Sequence, residues 1–150
     1  MTKTDTAKND AFDLQDFLPY LLNRAAEESS LEFQRAYKDR YGMLRTEWRV
    51  LFHLGNYGEI TAKEIGERAR IHKTKISRAV SKLELRRFLT RTPSERDRRV
   101  EHLKLTPAGK AAYRELCGIA RQYDAKLAAM FDEDEAALLR KMLQKLAEMR

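Results

Sequence analysis

Apolar residues recur at helical spacing through most of the chain and switch to alternation once. Leu14, Phe17, Leu18, Leu21, Leu22 and Ala25 keep the rhythm that gathers side chains on one helical face, which predicts a long first helix over about residues 14–41. Pro19 falls inside that run. Lacking a backbone N–H, it marks the true start of the helix or kinks it. Thr46 reads as the N-cap of a second helix, EWRVLFHLGNYG, with Val50, Leu51 and Leu54 inward and Gly55 or Gly58 at its end. Thr61 and Glu64 have the spacing of a capping box for a short third helix, TAKEIGERA. After a turn at RIH, the run 73–87 places Ile76, Ala79, Val80 and Leu83 at i, i+3, i+4 and i+7, so one face is core.

The period then changes. FLTRT (88–92) and RVEHLKLT (99–106) hold strand-type residues, the second alternating toward Leu103 and Leu105, and Pro93, Ser94 and Asp97 between them are turn formers. These segments predict a two-stranded hairpin with its arginines at an exposed tip. Thr106 followed by Pro107 stops the second strand and starts a helix with Ala112, Leu116, Ile119, Tyr123, Leu127 and Met130 inward. Asp132 and Glu135 form another capping box, and Leu138, Leu139, Met142, Leu143 and Leu146 line the last helix. The expected fold is mainly α with a small β-hairpin wing. Residues 46–105 form a winged helix-turn-helix lobe, residues 1–45 a tail and dimerisation helix, and residues 106–150 two C-terminal dimerisation helices. The flanking helices are assigned to dimerisation because neither is needed to close a three-helix core of that size.

Charge sharpens the picture. The net charge of +7 is modest, but residues 61–110 carry 15 Lys and Arg against 6 Asp and Glu, net +9, while the rest carries 15 against 17, net −2. A solvated surface scatters its lysines; a concentrated excess is the electrostatic footprint of a nucleic-acid-binding element. On a helical wheel the face opposite Ile76 and Leu83 gathers Thr74, Lys75, Ser77, Arg78, Ser81 and Lys82, basic and hydroxyl-rich, with none of the acids that support an ordinary solvated face. A basic helix of this kind followed by a basic hairpin suits duplex DNA, the helix in the major groove and the hairpin as a wing. Lys75 and Arg78 are candidates for guanine or phosphate, and the three hydroxyls for either bases or backbone. Arg96, Arg98 and Arg99 are candidates for the minor groove, with Asp97 holding one of them in position.

Other chemistry is scarce. Cys117 is the single cysteine, which excludes an internal disulfide and a cysteine-based zinc site and suggests a buried small hydrophobe. His53, His72 and His102 are dispersed, so no metal ligand set and no cofactor are expected. Recognised catalytic motifs such as G-x-S-x-G, Walker A and H-E-x-x-H are missing, and an enzyme is not expected. The N-terminal stretch MTKTDTAKND has no signal-peptide apolar run, and no stretch approaches the ~18 apolar residues of a membrane span, so a cytoplasmic protein without a membrane partner is expected. An architectural DNA binder would share the charge block but show no preference among duplexes.

Asp97, Arg99, Leu103, Leu105, Thr106 and Gly109 match a D-x-R…L-x-L-T…G signature, and HKTKISRAVSKLELRRFLTR matches the accompanying recognition-helix region. Over nearly its full length the chain resembles the MarR family of winged-helix bacterial regulators. The resemblance implies a homodimer whose first and last helices interlock, a winged DNA-reading lobe on each subunit, and repression relieved by a small ligand. It gives Arg99 the minor-groove position, with Asp97 as its buttress. One departure stands out: the family's frequent glycine before the first wing strand is Arg87 here, at a place where tolerance of positive φ is favoured. The family's common effector site lies between the dimer helices and the DNA-binding lobe and often takes aromatic carboxylates. Arg24 and Tyr37 on the first helix, with Trp48, Phe52 and His53 on the second, are candidates to line it. The basic patch of Arg35, Lys38, Arg40 and Arg45 suits a larger anion such as an acyl thioester. A two-fold dimer would set its recognition helices about 34 Å apart, in successive major grooves of a near-palindromic operator.

Overall fold

Helix α1, Leu18–Tyr41, begins one residue before Pro19. The proline therefore lies in the first turn, where its missing N–H leaves no hydrogen bond unmade, and it marks the helix start. The computed structural model describes residues 11–149, and the polar tail expected over residues 1–10 lies outside them. The chain divides into two units, residues 1–32 and residues 33–150. In the first, a 3₁₀ turn at Leu14–Asp16 is capped by Asp13, whose carboxylate accepts from the Gln15 N–H at 3.0 Å. Phe12 packs edge-on against Phe17 with centroids 5.0 Å apart.

The second unit holds the end of α1, then α2 (Arg45–Tyr57), β1 (Ile60–Thr61), α3 (Ala62–Ala69), α4 (Lys73–Leu85), β2 (Leu89–Pro93), β3 (Glu101–Leu105), α5 (Pro107–Ala128) and α6 (Glu133–Ala147). Val50, Leu51 and Leu54 of α2, Ile65 of α3, the stripe Ile76, Ala79, Val80 and Leu83 of α4, and Leu89, Leu103 and Leu105 of the strands form one core with Ala112 and Leu116 of α5. The apolar periodicity thus becomes one buried cluster that fixes α4 against its neighbours.

Several local expectations are corrected. Thr46 does not cap α2: the cap is Leu44, whose side chain offers no acceptor, and its own N–H donates to Glu47 Oε2 at 2.7 Å, the bond that the first-turn acid makes in a capping box. Of the two glycines, Gly58 closes α2, at φ 77°. Helix α4 ends at Leu85 instead of Arg87, and α5 ends at Ala128, leaving Met130 beyond it and 73% exposed. Cys117 is half-buried rather than fully buried. The sheet has three strands in the order β1–β3–β2, all antiparallel, because Ile60 and Thr61 add a short strand opposite Leu103 and His102. Two residues are too few for alternation to show in a sequence.

The other boundary devices stand. Thr61 and Glu64 cap α3 reciprocally, and Asp132 and Glu135 do the same for α6. Thr106 Oγ accepts from the Gly109 N–H at 3.0 Å and donates to the Arg87 carbonyl at 2.6 Å, which ties the start of α5 to the turn before β2. A Cβ on Gly109 would lie 2.0 Å from the Phe88 carbonyl oxygen, so this close approach of helix to turn requires glycine. Among the described residues no helix is long and apolar enough to cross a membrane.

Candidate nucleic-acid interface

Helices α3 and α4 are joined by a turn that reverses the chain through Arg70, whose φ of 54° lies in the left-handed region. The Arg70 and Ile71 N–H groups both return to the Gly66 carbonyl, satisfying the end of α3. His72 then caps α4, its Nδ1 accepting from the Thr74 N–H at 3.2 Å. With Ile76, Ala79, Val80 and Leu83 held in the core, α4 has one rotational setting. That setting leaves Thr74, Lys75, Ser77, Arg78, Ser81 and Lys82 all exposed. Among the described residues Lys75, Arg78 and Lys82 are in no ion pair, so their charge is available to an external anion. An open groove of about 1100 Å³ runs beside them, lined by Lys63, Arg70, His72, Lys73, Ser77 and Arg91 among others.

The hairpin projects next to this face. Register pairs Leu89 with Leu105, Arg91 with Leu103 and Pro93 with Glu101. Beyond the strands the tip is closed by its own backbone, Ser94 N–H donating to the Val100 carbonyl at 2.8 Å and Val100 N–H to the Asp97 carbonyl at 3.0 Å. Asp97 Oδ1 accepts from the Arg99 backbone N–H at 3.0 Å and lies 3.4 Å from Arg99 Nε. One carboxylate thus orients both the main chain and the side chain of that arginine. The Arg99 side chain is 93% exposed, and Arg96 and Arg98 are exposed beside it.

Two arginines that the sequence does not single out tie these elements to their neighbours. Arg86, at the C-cap of α4, donates Nε to Glu47 Oε1 at 3.1 Å, Nη2 to the Gly42 carbonyl at 2.9 Å and Nη1 to the Tyr41 carbonyl. Glu47 is 1% exposed, a burial that a carboxylate tolerates only when paired; its other oxygen takes the Leu44 N–H. Arg91 of β2 donates Nη2 to Ser81 Oγ at 3.0 Å, Nε to Glu84 Oε1 at 3.3 Å and Nη1 to Glu101 Oε2 at 3.2 Å. The neighbouring Arg87 takes φ 62° without being a glycine, so the left-handed geometry at this position is kept and the side chain is exposed.

The aromatic candidates for an effector site are packed against one another. Tyr37 is buried, Trp48 and Phe52 are partly buried, and Phe33 sits among them with centroids 5.6 Å from Tyr37, 5.4 Å from Trp48 and 6.4 Å from Phe52, all in edge-to-face contact. Tyr113 extends the cluster, 5.3 Å from Phe52. His53 donates Nδ1 to the Arg49 carbonyl at 2.6 Å and tilts against Tyr57. Arg24 belongs to the first unit, where its guanidinium carbon lies 6.0 Å from the Tyr20 ring centre. Of the basic patch, Arg40 is paired with Glu115, which also accepts from the Tyr41 hydroxyl at 3.0 Å.

Comparison with known proteins bears on the family and the fold. The MarR family model matches residues 41–100, the span from the end of α1 to the wing tip. The HTH-type transcriptional regulator YwoH of Bacillus subtilis is 30% identical over 108 residues, 69% of this chain and 78% of that protein. The HTH-type transcriptional repressor MdtR of the same organism is 26% identical over 110 residues, 73% of this chain and 71% of that protein. In fold, the chain is similar to Bordetella bronchiseptica BpsR, whose DNA binding is regulated by 6-hydroxynicotinic acid. That match has a TM-score of 0.85 at 21% identity and covers 93% of this chain and 99% of the other.

Proposed function

The chain belongs to the MarR family of transcriptional regulators, and from that premise we propose that it is a dimeric, sequence-specific DNA-binding repressor of the cytoplasm, released from a near-palindromic operator by a small anionic or aromatic ligand. The observation that carries the reading is the unpaired basic face of α4 lying beside a wing whose Arg99 is oriented by Asp97 and otherwise exposed. In this reading α4 enters the major groove, where Lys75, Arg78 and Lys82 meet phosphates or guanine edges, and Arg99 enters the adjacent minor groove. Dimerisation is supported by the exposed Leu and Met face of α6, and repression by the likeness to MdtR. A ligand of the class that acts on BpsR would act here by entering among Phe33, Tyr37, Trp48 and Phe52. Parting those rings shifts the end of α1, and with it the Tyr41 and Gly42 carbonyls that hold Arg86 at the end of α4.

Selection of binding sites from a random duplex pool, followed by anisotropy with random-duplex competitor, tests this. The wild type is expected to prefer the selected site, and Arg99→Ala to weaken that preference by about 1–3 kcal/mol. Equal affinity for selected and random duplexes would make the protein an architectural binder. The ligand is tested on the same complex by titrating 6-hydroxynicotinic acid and other aromatic acids.

A further inference from the structure

The wing is attached to the reading lobe by apolar contacts at its base only. Leu89, Leu103 and Leu105 are buried there, whereas no residue of the hairpin beyond Leu103 is. Strand β1 supports β3 only opposite Leu103 and His102. Farther out the hairpin is a two-stranded ribbon, a structure of marginal rigidity in water. Because side chains alternate along a strand, Leu89, Arg91 and Pro93 share one face with Leu105, Leu103 and Glu101. Along that face the apolar base gives way to Arg91, which is half-buried, and its three bonds reach Ser81 and Glu84 on α4 and Glu101 on the ribbon.

We propose that Arg91 is a positioning residue that locks the wing to the recognition helix, so that α4 and the wing tip read the duplex as one rigid body. Ser81 is then the acceptor of this brace and not a base contact. Glu84 and Glu101 converge on the guanidinium and hold it in place. The entropy of fixing the wing is met in the free protein, leaving Arg99 at a set distance and angle from Arg78 when DNA arrives. This inference rests on the DNA-binding reading above.

A double-mutant cycle on the selected duplex, with urea midpoints confirming folding, tests it. If the brace sets the wing, Arg99→Ala weakens binding in the wild type but by about threefold less, or more than that, in the Arg91→Ala background, since contacts in one network are non-additive. Glu101→Gln supplies a sign that charge alone cannot imitate. Removing a negative charge near DNA tightens binding by simple electrostatics, whereas loosening the brace weakens it and lowers the preference over random duplex. A third measurement needs no DNA: trypsin should cut the free protein faster at Arg96, Arg98 and Arg99 once Arg91 is alanine. Additive Arg91 and Arg99 effects, tighter binding by Glu101→Gln, or unchanged wing cleavage would each overturn the brace. A wild type with no duplex preference would instead overturn the DNA-reading function and leave the cleavage test standing.

Discussion

Helices α4 and α6 carry the same apolar spacing and end in opposite surroundings. Ile76, Ala79, Val80 and Leu83 in α4, and Leu139, Met142, Leu143 and Leu146 in α6, stand at i, i+3, i+4 and i+7. The first four are 1%, 3%, 1% and 0% exposed; the second four are 36%, 48%, 43% and 40% exposed. A periodic stripe states that a face is to be covered and is silent about what covers it. For α4 the cover is α2, α3 and the hairpin of the same chain. In the dimer proposed above a second copy of the chain would cover α6, and the opposite polar faces differ too: that of α4 is basic, that of α6 mixed in charge.

The largest effect is expected where α4 is held most firmly. Glu47→Ala leaves Arg86 without its carboxylate, the Leu44 N–H without an acceptor and a void beneath the end of α4. The lost charge-assisted bonds and the lost packing of a buried side chain together cost about 3 kcal/mol, less than a fully buried pair because Arg86 is 32% exposed and keeps two carbonyl acceptors. Urea unfolding of the variant checks this, and Glu47→Gln, which keeps the shape and an acceptor, should lose markedly less. Equal losses would mean that shape and not charge closes this side of α4.

The exposed stripe is tested by association rather than by unfolding. Leu143→Glu places a charge in the centre of the α6 face, so the dimer should dissociate with a loss of about 2 kcal/mol or more, the range of a central interface residue. Light scattering across a dilution series reads it. The monomer should keep the helical signal of the wild type, because Leu143 is 43% exposed and lies outside the buried core. A variant that stayed dimeric would show that the stripe of α6 lies outside the interface.

A smaller change concerns how α4 ends. Arg87 occupies the left-handed region at φ 62°, where a Cβ is strained, and among the described residues its exposed side chain makes no hydrogen bond or ion pair that compensates. Arg87→Gly is therefore expected to raise stability by about 1 kcal/mol, seen as a higher urea midpoint, while lowering duplex affinity if the guanidinium meets a phosphate. The two readouts moving in opposite directions would separate the backbone role of this position from its charge.

The helices, the wing and both capping boxes were legible in the sequence because each rests on local spacing. What escaped was set by partners far along the chain. Glu47 reads as an ordinary first-turn acid, and only the arrival of Arg86 thirty-nine residues later makes it a buried half of an ion pair. Arg91, Ser81, Glu84 and Glu101 share no local pattern; strand register brings them together. Trp48, Phe52 and Tyr37 were legible as one cluster, but spacing alone does not distinguish rings that line a site from rings packed against Phe33. The basic face of α4 needed no partner to be recognised, since its meaning lies in the absence of one.

The smallest expected effect lies where the lobe meets α5. Burial, reinforced by the hydrogen bond to Glu115 and by that carboxylate's charge, raises the Tyr41 phenol above its usual value near 10, with Arg40 opposing. A phenol whose pKa is raised on folding binds its proton more tightly in the folded state. Its contribution is therefore complete below about pH 10 and is lost as the pH climbs through the folded value. Tyr41→Phe has nothing to lose in that window. The wild type should be the more stable of the two at about pH 9, with the gap narrowing by about pH 11, as read from paired urea midpoints. Lysine deprotonation falls in the same range but is common to both proteins and cancels in the difference. A gap that stayed constant would mean that Tyr41 is held by its ring edge against Phe88, in the turn before β2, and not by its hydroxyl.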